Sequence, residues 1–308
     1  AYRTVAVTGG RNIARLADGA ATLGVSLRPH LKTAKSLAVA DRVTGGTRGP
    51  ITVSTLAEAE VFHDAGYADI LYAVGIAPQK LDRVRALRAR GCDLVVILDT
   101  AAQAGAVVRA GVPAMIEIDC DGHRGGLRPD DPLLVRIGKM LQTGGCLRGV
   151  MTHAGESYTV RGAAAQARFA EMERDAVVAA AGALRAAGLD CPVTSVGSTP
   201  TAHAARDLSG VTELRAGVYM FFDLVMAGID VCTLDDIALT VGGTTTTDDV
   251  EWFYRARLSE LGLETWFHPS VGVQRQGVGG AAGLGQVVAE GGHHGAVVGA
   301  VSDGGVVH

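Results

Sequence analysis

Two lysines, Lys32 and Lys35, stand three residues apart in the stretch RPHLKTAKS, just after the apolar run Val25-Ser26-Leu27 and beside His30. A lysine amine held neutral is a nucleophile that forms a Schiff base with a carbonyl compound. A basic pair on a solvated helix face does no chemistry, and spacing alone leaves both readings open. The same kind of collection recurs along the chain, always just after an apolar run. It comprises Ser54 and Thr55, then Asp99, then Glu117, Asp119, Asp121 and Arg124. It continues with His153, Glu156 and Tyr158, then Ser195, Ser198 and Thr199, and finally Arg215 with Gly217. Imidazoles, carboxylates, hydroxyls and guanidinium groups together suffice for proton transfer and for anion binding.

These side chains need elements to bring them together. Strand-like apolar runs fall at 25–31, 51–54, 70–74, 94–98, 114–118, 147–153, 193–196 and 212–216. Amphipathic, helix-like segments lie between them at 36–43, 56–65, 78–90, 100–110, 131–141, 162–187 and 200–207. The strands do not alternate in polarity, as expected of strands buried on both faces. Eight such strands alternating with helices predict an α/β chain folded as a (β/α)8 TIM barrel over about residues 20–230. A doubly wound sheet is the alternative. The strand count, and the lack of a GxGxxG after the first strand, argue against it. Residues 1–230 are therefore read as the barrel and 231–308 as a C-terminal β-rich domain, glycine-rich and without clear periodicity.

In such a barrel, working groups gather at the C-terminal ends of the strands, and the last two loops commonly hold a phosphate. GSTPT at 197–201 offers hydroxyls and a glycine. RAGVY at 215–219 offers a glycine whose backbone can approach an anion closely. A phosphate-type site opposite a lysine points to pyridoxal phosphate, anchored by its aldehyde at one end and its phosphate at the other. Each residue also has a plainer reading. Lys35 reads as a helix-start or rim charge, and His30 and His153 as hydrogen-bonded histidines of the barrel mouth. Ser198 and Thr199 read as helix caps, and Asp119, Asp121 and Arg124 as turn residues. His293 and His294 lie among glycines and read as loop.

Composition narrows the class. The 308 residues are 48% hydrophobic and 19% charged, with a net charge of −4 that gives no reason to expect nucleic acid. No apolar run approaches the roughly 18 residues of a membrane span, and no basic-then-apolar leader opens the sequence. Five scattered cysteines without a CxxC read as free thiols of a reducing cytosol.

Together these motifs resemble the fold-type III pyridoxal-phosphate enzymes, in the D-threonine aldolase and D-serine dehydratase branch related to alanine racemase. LRPHLKTAKS is similar to that branch's RPHxKTHK signature, and EIDCDGHRGGL to its fifth-strand segment. THAGESY, SVGSTPT and TELRAGVYMFFD resemble its sixth-, seventh- and eighth-strand motifs, in order, over roughly residues 10–240. The resemblance implies that Lys32 carries the cofactor and that Arg124 lies near its phenolic oxygen. It implies that His153 packs near the ring and that Arg215 faces the pyridine nitrogen. Ser198, Thr199, Gly217, Val218 and Tyr219 fall where the phosphate is held. Lys32, His153 and Tyr158 are the expected catalytic groups.

The implied activity is lyase chemistry on D-β-hydroxy-α-amino acids, either retro-aldol cleavage of D-threonine-like substrates or dehydration of D-serine-like ones. An amino-acid racemase using Tyr254, or a cofactor-binding protein without turnover, are the alternatives. A cytoplasmic homodimer and a divalent metal (Mn, Mg or Zn) are implied as well. The family's metal pair, a His followed two residues on by Cys or Asp, has no counterpart in this sequence. Ala34 stands where the family usually has His, and the lead AYRTVAVTGGRNIARLA resembles the family's opening strand and NIxR helix only loosely.

Overall fold

The structure, a computed structural model, describes residues 2–122 and 124–239. Beyond these it describes only the short strands at 241–242, 272–275, 284–285, 287–290 and 300–301. Helix α1 (Tyr2–Thr22) leads into a regular alternation. It runs β1 (Ser26–Pro29), α2 (Leu37–Val43), β2 (Ile51–Val53), α3 (Leu56–Asp64), β3 (Asp69–Gly75), α4 (Leu81–Ala89) and β4 (Asp93–Leu98). It continues α5 (Ala101–Ala110), β5 (Ala114–Ile118), α6 (Pro132–Thr143), β6 (Leu147–Thr152) and α7 (Ala163–Ala186). It ends β7 (Val193–Val196), α8 (Thr199–Ala204), β8 (Glu213–Ala216) and α9 (Leu224–Gly228).

All eight strands pair in parallel, in the order β1-β8-β7-β6-β5-β4-β3-β2. The first and last of that order meet where Leu31 N donates to Thr52 O at 2.9 Å, with a bridge between His30 and Thr52. The sheet is thus a nearly closed barrel ringed by helices, and the doubly wound alternative falls.

Local chemistry fixes the helix starts. Ser36 Oγ accepts from Val39 N, and Thr55 Oγ1 accepts from Glu58 N at 3.0 Å. Thr100 forms a capping box with Gln103, and Asp131 caps α6 ahead of Pro132. Tight approach between strands fixes two glycines. A Cβ on Gly149 would lie 1.9 Å from Val193 O, and one on Gly197 1.7 Å from Arg215 O.

The N-terminal lead differs from the strand-then-helix opening of the family. It is a single helix, although it contains Gly9-Gly10, a pair that disfavours helix. Tertiary packing decides the matter. Leu16 and Ala20 are buried, Asn12 Nδ2 donates to Asp236 O at 2.7 Å, and a Cβ on Gly9 would lie 3.2 Å from Met220 O. Residues 231–239 therefore fold back on α1. Most of the expected second domain lies outside the described residues. In the described part of it, 272–275 pairs antiparallel with 287–290. The five cysteines are free thiols. Among the described residues no helix is long and apolar enough to cross a membrane.

Candidate active site

At the C-terminal ends of the strands the barrel opens into a cleft. Lys32, Arg124, His153, Tyr158, Ser198, Thr199, Arg215, Gly217 and Val218 all line it. His30, Ala73, Glu117, Met151, Gly197 and Ala216 complete the wall. Tyr219 is not part of that wall. It is fully buried, and its hydroxyl has no hydrogen-bond partner among the described residues. It lies in the tight turn Val218–Met220, directly after the lining residues Gly217 and Val218.

The two lysines part company. Lys32 follows β1 directly and lines the cleft. Burial first, then the charges of Arg124 and Arg215, lowers its amine to about 8, against the opposing pull of Glu58. An amine at that value is half neutral near pH 8, whereas an ordinary lysine is almost wholly charged. Lys35 instead sits with Nζ 3.3 Å from Glu58 Oε1, a rim charge held by a carboxylate. Ala34, between them, is 3% exposed and belongs to the core, so only a small side chain occupies that place.

The two histidines of the cleft, His30 and His153, are both held toward the neutral form. His153 is pushed well below the usual range by burial and by the charges of Lys32 and Arg124. Its Nδ1 lies 2.6 Å from Gly197 O, and a carbonyl accepts only, so Nδ1 carries the proton. His30 is lowered likewise, by burial and by Lys32. Tyr158 is raised to about 12 by burial and stays protonated at neutral pH; its ring centroid lies 6.2 Å from that of His153. Glu117 is raised by burial and by Asp99, with Arg215 and Arg124 opposing.

Hydroxyls and backbone of the loops after β7 and β8 share the cleft with Lys32. Thr199 Oγ1 accepts from Val218 N at 3.2 Å, which joins the loops after β7 and β8. Ser198 caps α8 in a reciprocal pair with Thr201, and its Oγ lies 2.9 Å from Ser157 Oγ. The capping reading therefore holds for Ser198, whereas Thr199 is the first residue of α8 and bridges to Val218 instead. Asp119 is a turn-former: its Oδ1 accepts from Gly122 N at 2.7 Å and Asp121 N at 3.2 Å. Asp121 Oδ2 accepts from Glu156 N at 2.8 Å, tying the loops after β5 and β6 together. Thr55 is a cap, and the backbone N–H of Ser54 donates to Glu58 Oε2 at 2.8 Å.

Sequence reasoning missed two buried carboxylates. Glu173 on α7 accepts from Ala154 N at 2.8 Å, Gly197 N at 3.1 Å and Thr201 Oγ1 at 2.7 Å, so it holds the loops that carry His153 and Ser198. Burial raises its carboxyl. Its signal was its place on the apolar stripe with Ala170 and Val177. Glu213 was passed over inside an apolar strand. It accepts from Ser195 and Arg28, two inward-facing partners.

The residues that line the cleft fit a cofactor bearing an aldehyde and a phosphate: an amine lowered to about 8, together with hydroxyls and backbone N–H groups. They offer less to a metal. Among the described residues no group of three or more His, Cys, Asp or Glu is arranged to hold one.

Known proteins match this chain over the same region. The family model for the alanine racemase N-terminal domain matches residues 10–225. The D-threo-3-hydroxyaspartate dehydratase of Delftia sp. (strain HT23) is 54% identical over 242 residues, 76% of this chain and 64% of that protein. A solved structure of that dehydratase superposes with a TM-score of 0.74 at 53% identity, covering 77% of this chain and 66% of its own. The D-serine dehydratase of Dictyostelium discoideum is 28% identical over 258 residues, 76% of this chain and 65% of that protein. The chain thus spans just under two thirds of the length of these curated relatives. With the barrel, the cleft and these matches together, the chain belongs to the alanine racemase N-terminal domain family.

Proposed function

We propose that this chain is the barrel of a pyridoxal-phosphate-dependent lyase acting on D-β-hydroxy-α-amino acids, with dehydration of D-3-hydroxyaspartate- or D-serine-like substrates as its reaction. One observation carries the reading: Lys32, an amine lowered to about 8, shares a cleft with the hydroxyl-and-backbone cradle of Ser198, Thr199, Gly217 and Val218. The dehydratase relatives support the choice of reaction. In this reading Lys32 holds the cofactor's aldehyde and the cradle holds its phosphate, with the backbone of Tyr219 beside it. Arg124 would lie by the phenolic oxygen, His153 would pack near the ring, and Arg215 would face the ring nitrogen. The bound cofactor supplies a sink for the electron pair left at the substrate's α-carbon.

The chain's own residues supply the rest. As a free amine, Lys32 Nζ would be a base of suitable strength to take the α-proton, since a general base works best with a pKa near the working pH. Tyr158 keeps its proton and so acts as a hydroxyl donor at the cleft wall. Neutral His153, fixed by Gly197 O, presents a flat uncharged ring rather than another cation. Arg124, Arg215 and Lys32 make the cleft attractive to a dianionic phosphate and to substrate carboxylates.

The test is product analysis by mass spectrometry after incubation with D-threonine, D-serine and D-3-hydroxyaspartate, with and without Mn²⁺ or Zn²⁺. A 2-oxo acid with ammonia is the expected product. Glycine with an aldehyde would redirect the reading to aldolase chemistry. Cofactor binding with no product would leave a binding protein. The racemase alternative needs Tyr254, which lies outside the described residues.

A further inference from the structure

We infer that Ser195 and Glu213 are positioning residues that aim Arg215 at the ring nitrogen of the bound cofactor, an inference that rests on the pyridoxal-phosphate reading. Glu213 and Arg215 are two apart on β8, so both face the barrel interior. In register, Ser195 of β7 pairs with Glu213, and Arg28 of β1 pairs with Arg215. Arg215 Nε donates to Ser195 Oγ at 2.8 Å, and Ser195 Oγ donates to Glu213 Oε1 at 2.8 Å. Glu213 Oε2 accepts from Arg28 Nε at 2.5 Å, and Arg28 also holds Asp69 at 2.7 and 3.2 Å. A continuous polar chain therefore runs from the lower end of the barrel up to the cleft.

Its direction is fixed by donor inventory. A guanidinium only donates, so the single hydroxyl proton of Ser195 must go to Glu213. Arg215 Nη2 donates in turn to Thr152 O. With Nε and Nη2 held on the inner wall, the Nη1 end is left for the cleft that Arg215 lines. Arg215 is 3% exposed, and Arg28 stands level with it on the neighbouring strand, so burial and like charge both oppose the cation. Glu213, Glu173 and Glu117 oppose them in turn. Arg28 Nε reaches only Oε2 of Glu213, and Oε1 takes the Ser195 hydroxyl. The Ser195 hydroxyl adds a bridge whose other end is Arg215, and that bridge converts a buried ion pair into an aiming device for the guanidinium.

The experiment compares equilibrium binding of pyridoxal phosphate with that of its 1-deaza analogue, in which carbon replaces the ring nitrogen, to the wild-type chain and to Ser195→Ala. Wild type is expected to prefer pyridoxal phosphate by about tenfold or more, the worth of one charge-assisted hydrogen bond. Ser195→Ala leaves the Glu213–Arg28–Asp69 pairs in place and is expected to lower that preference to about twofold. A purely structural role for Ser195 would weaken both ligands alike, so an unchanged ratio overturns the inference, as does a wild type that binds both ligands equally. If Ser195→Ala does not fold, Glu213→Gln is read the same way, since it keeps the shape and removes the charge. Failure of the wild-type chain to bind pyridoxal phosphate at all would sink the cofactor reading and this inference together.

Discussion

The two ends of the barrel treat charge in opposite ways. At the lower end the charges are paired: the largely buried Arg28 lies between Asp69 and Glu213, and the more exposed Asp93 accepts from Arg88 at 3.0 Å and Arg148 at 2.9 Å. At the mouth Lys32, Arg124 and Arg215 line one cleft with the neutral histidines His30 and His153, and Glu117 is the carboxylate among them. Charges paired inside the protein contribute to holding it together. An excess of cations in a recess lowers the neighbouring amine and histidine pKa values and leaves the site waiting for an anion. The lower end therefore reads as scaffold and the mouth as chemistry, the division expected of this architecture.

The largest effect should come from the mouth. Lys32→Ala is expected to cut turnover by about 10³–10⁴-fold and to abolish borohydride fixation of the cofactor, while the melting temperature stays near that of wild type. Retained fixation would show that another amine holds the cofactor. Next comes the lower end. Arg28→Ala strands the buried carboxylate of Glu213 and is expected to cost about 3–5 kcal/mol, roughly 10 °C in melting temperature, with the cofactor still fixed to Lys32. A variant that melts normally but loses the cofactor would erase the distinction between the two ends.

The third prediction concerns pH. The rate at which an amine-directed reagent modifies Lys32 in the cofactor-free protein should rise with a midpoint near pH 8. The folded value lies below the 10.5 of an unperturbed lysine, so between those limits the unfolded chain binds more protons. The contribution of Lys32 to stability therefore increases as pH rises through that window. A midpoint above 10 would contradict the burial of this amine. The smallest effect is a cap at the mouth: Thr55→Ala should destabilise by about 1 kcal/mol in urea titration without altering cofactor affinity. A change in affinity would mean that the α3 start belongs to the site.

Much of the scaffold was legible. The long amphipathic run at 162–187 became Ala163–Ala186, and of the adjacent hydroxyls Ser54 and Thr55 it is Thr55 that caps α3, because these signals are local. Less legible was α1, where Gly9-Gly10 argues against helix and only packing on Met220 and the bond from Asn12 to Asp236 O justify it. Least legible were Glu173 and Glu213. A carboxylate inside an apolar stripe or strand looks like a surface residue until its donors are known. Those donors come from β1, β7 and the loops after β6 and β7, far away in sequence.

The sequence by itself determined the alternation of strands and helices, and hence the gathering of Lys32, Arg124, His153, Ser198 and Arg215 at one end. Periodicity and capping are written residue by residue. Only the tertiary structure decided which of the two lysines is depressed, which histidine nitrogen carries the proton and which way Arg215 is held. Those properties depend on burial and on partners brought in from distant strands, and no single segment carries them.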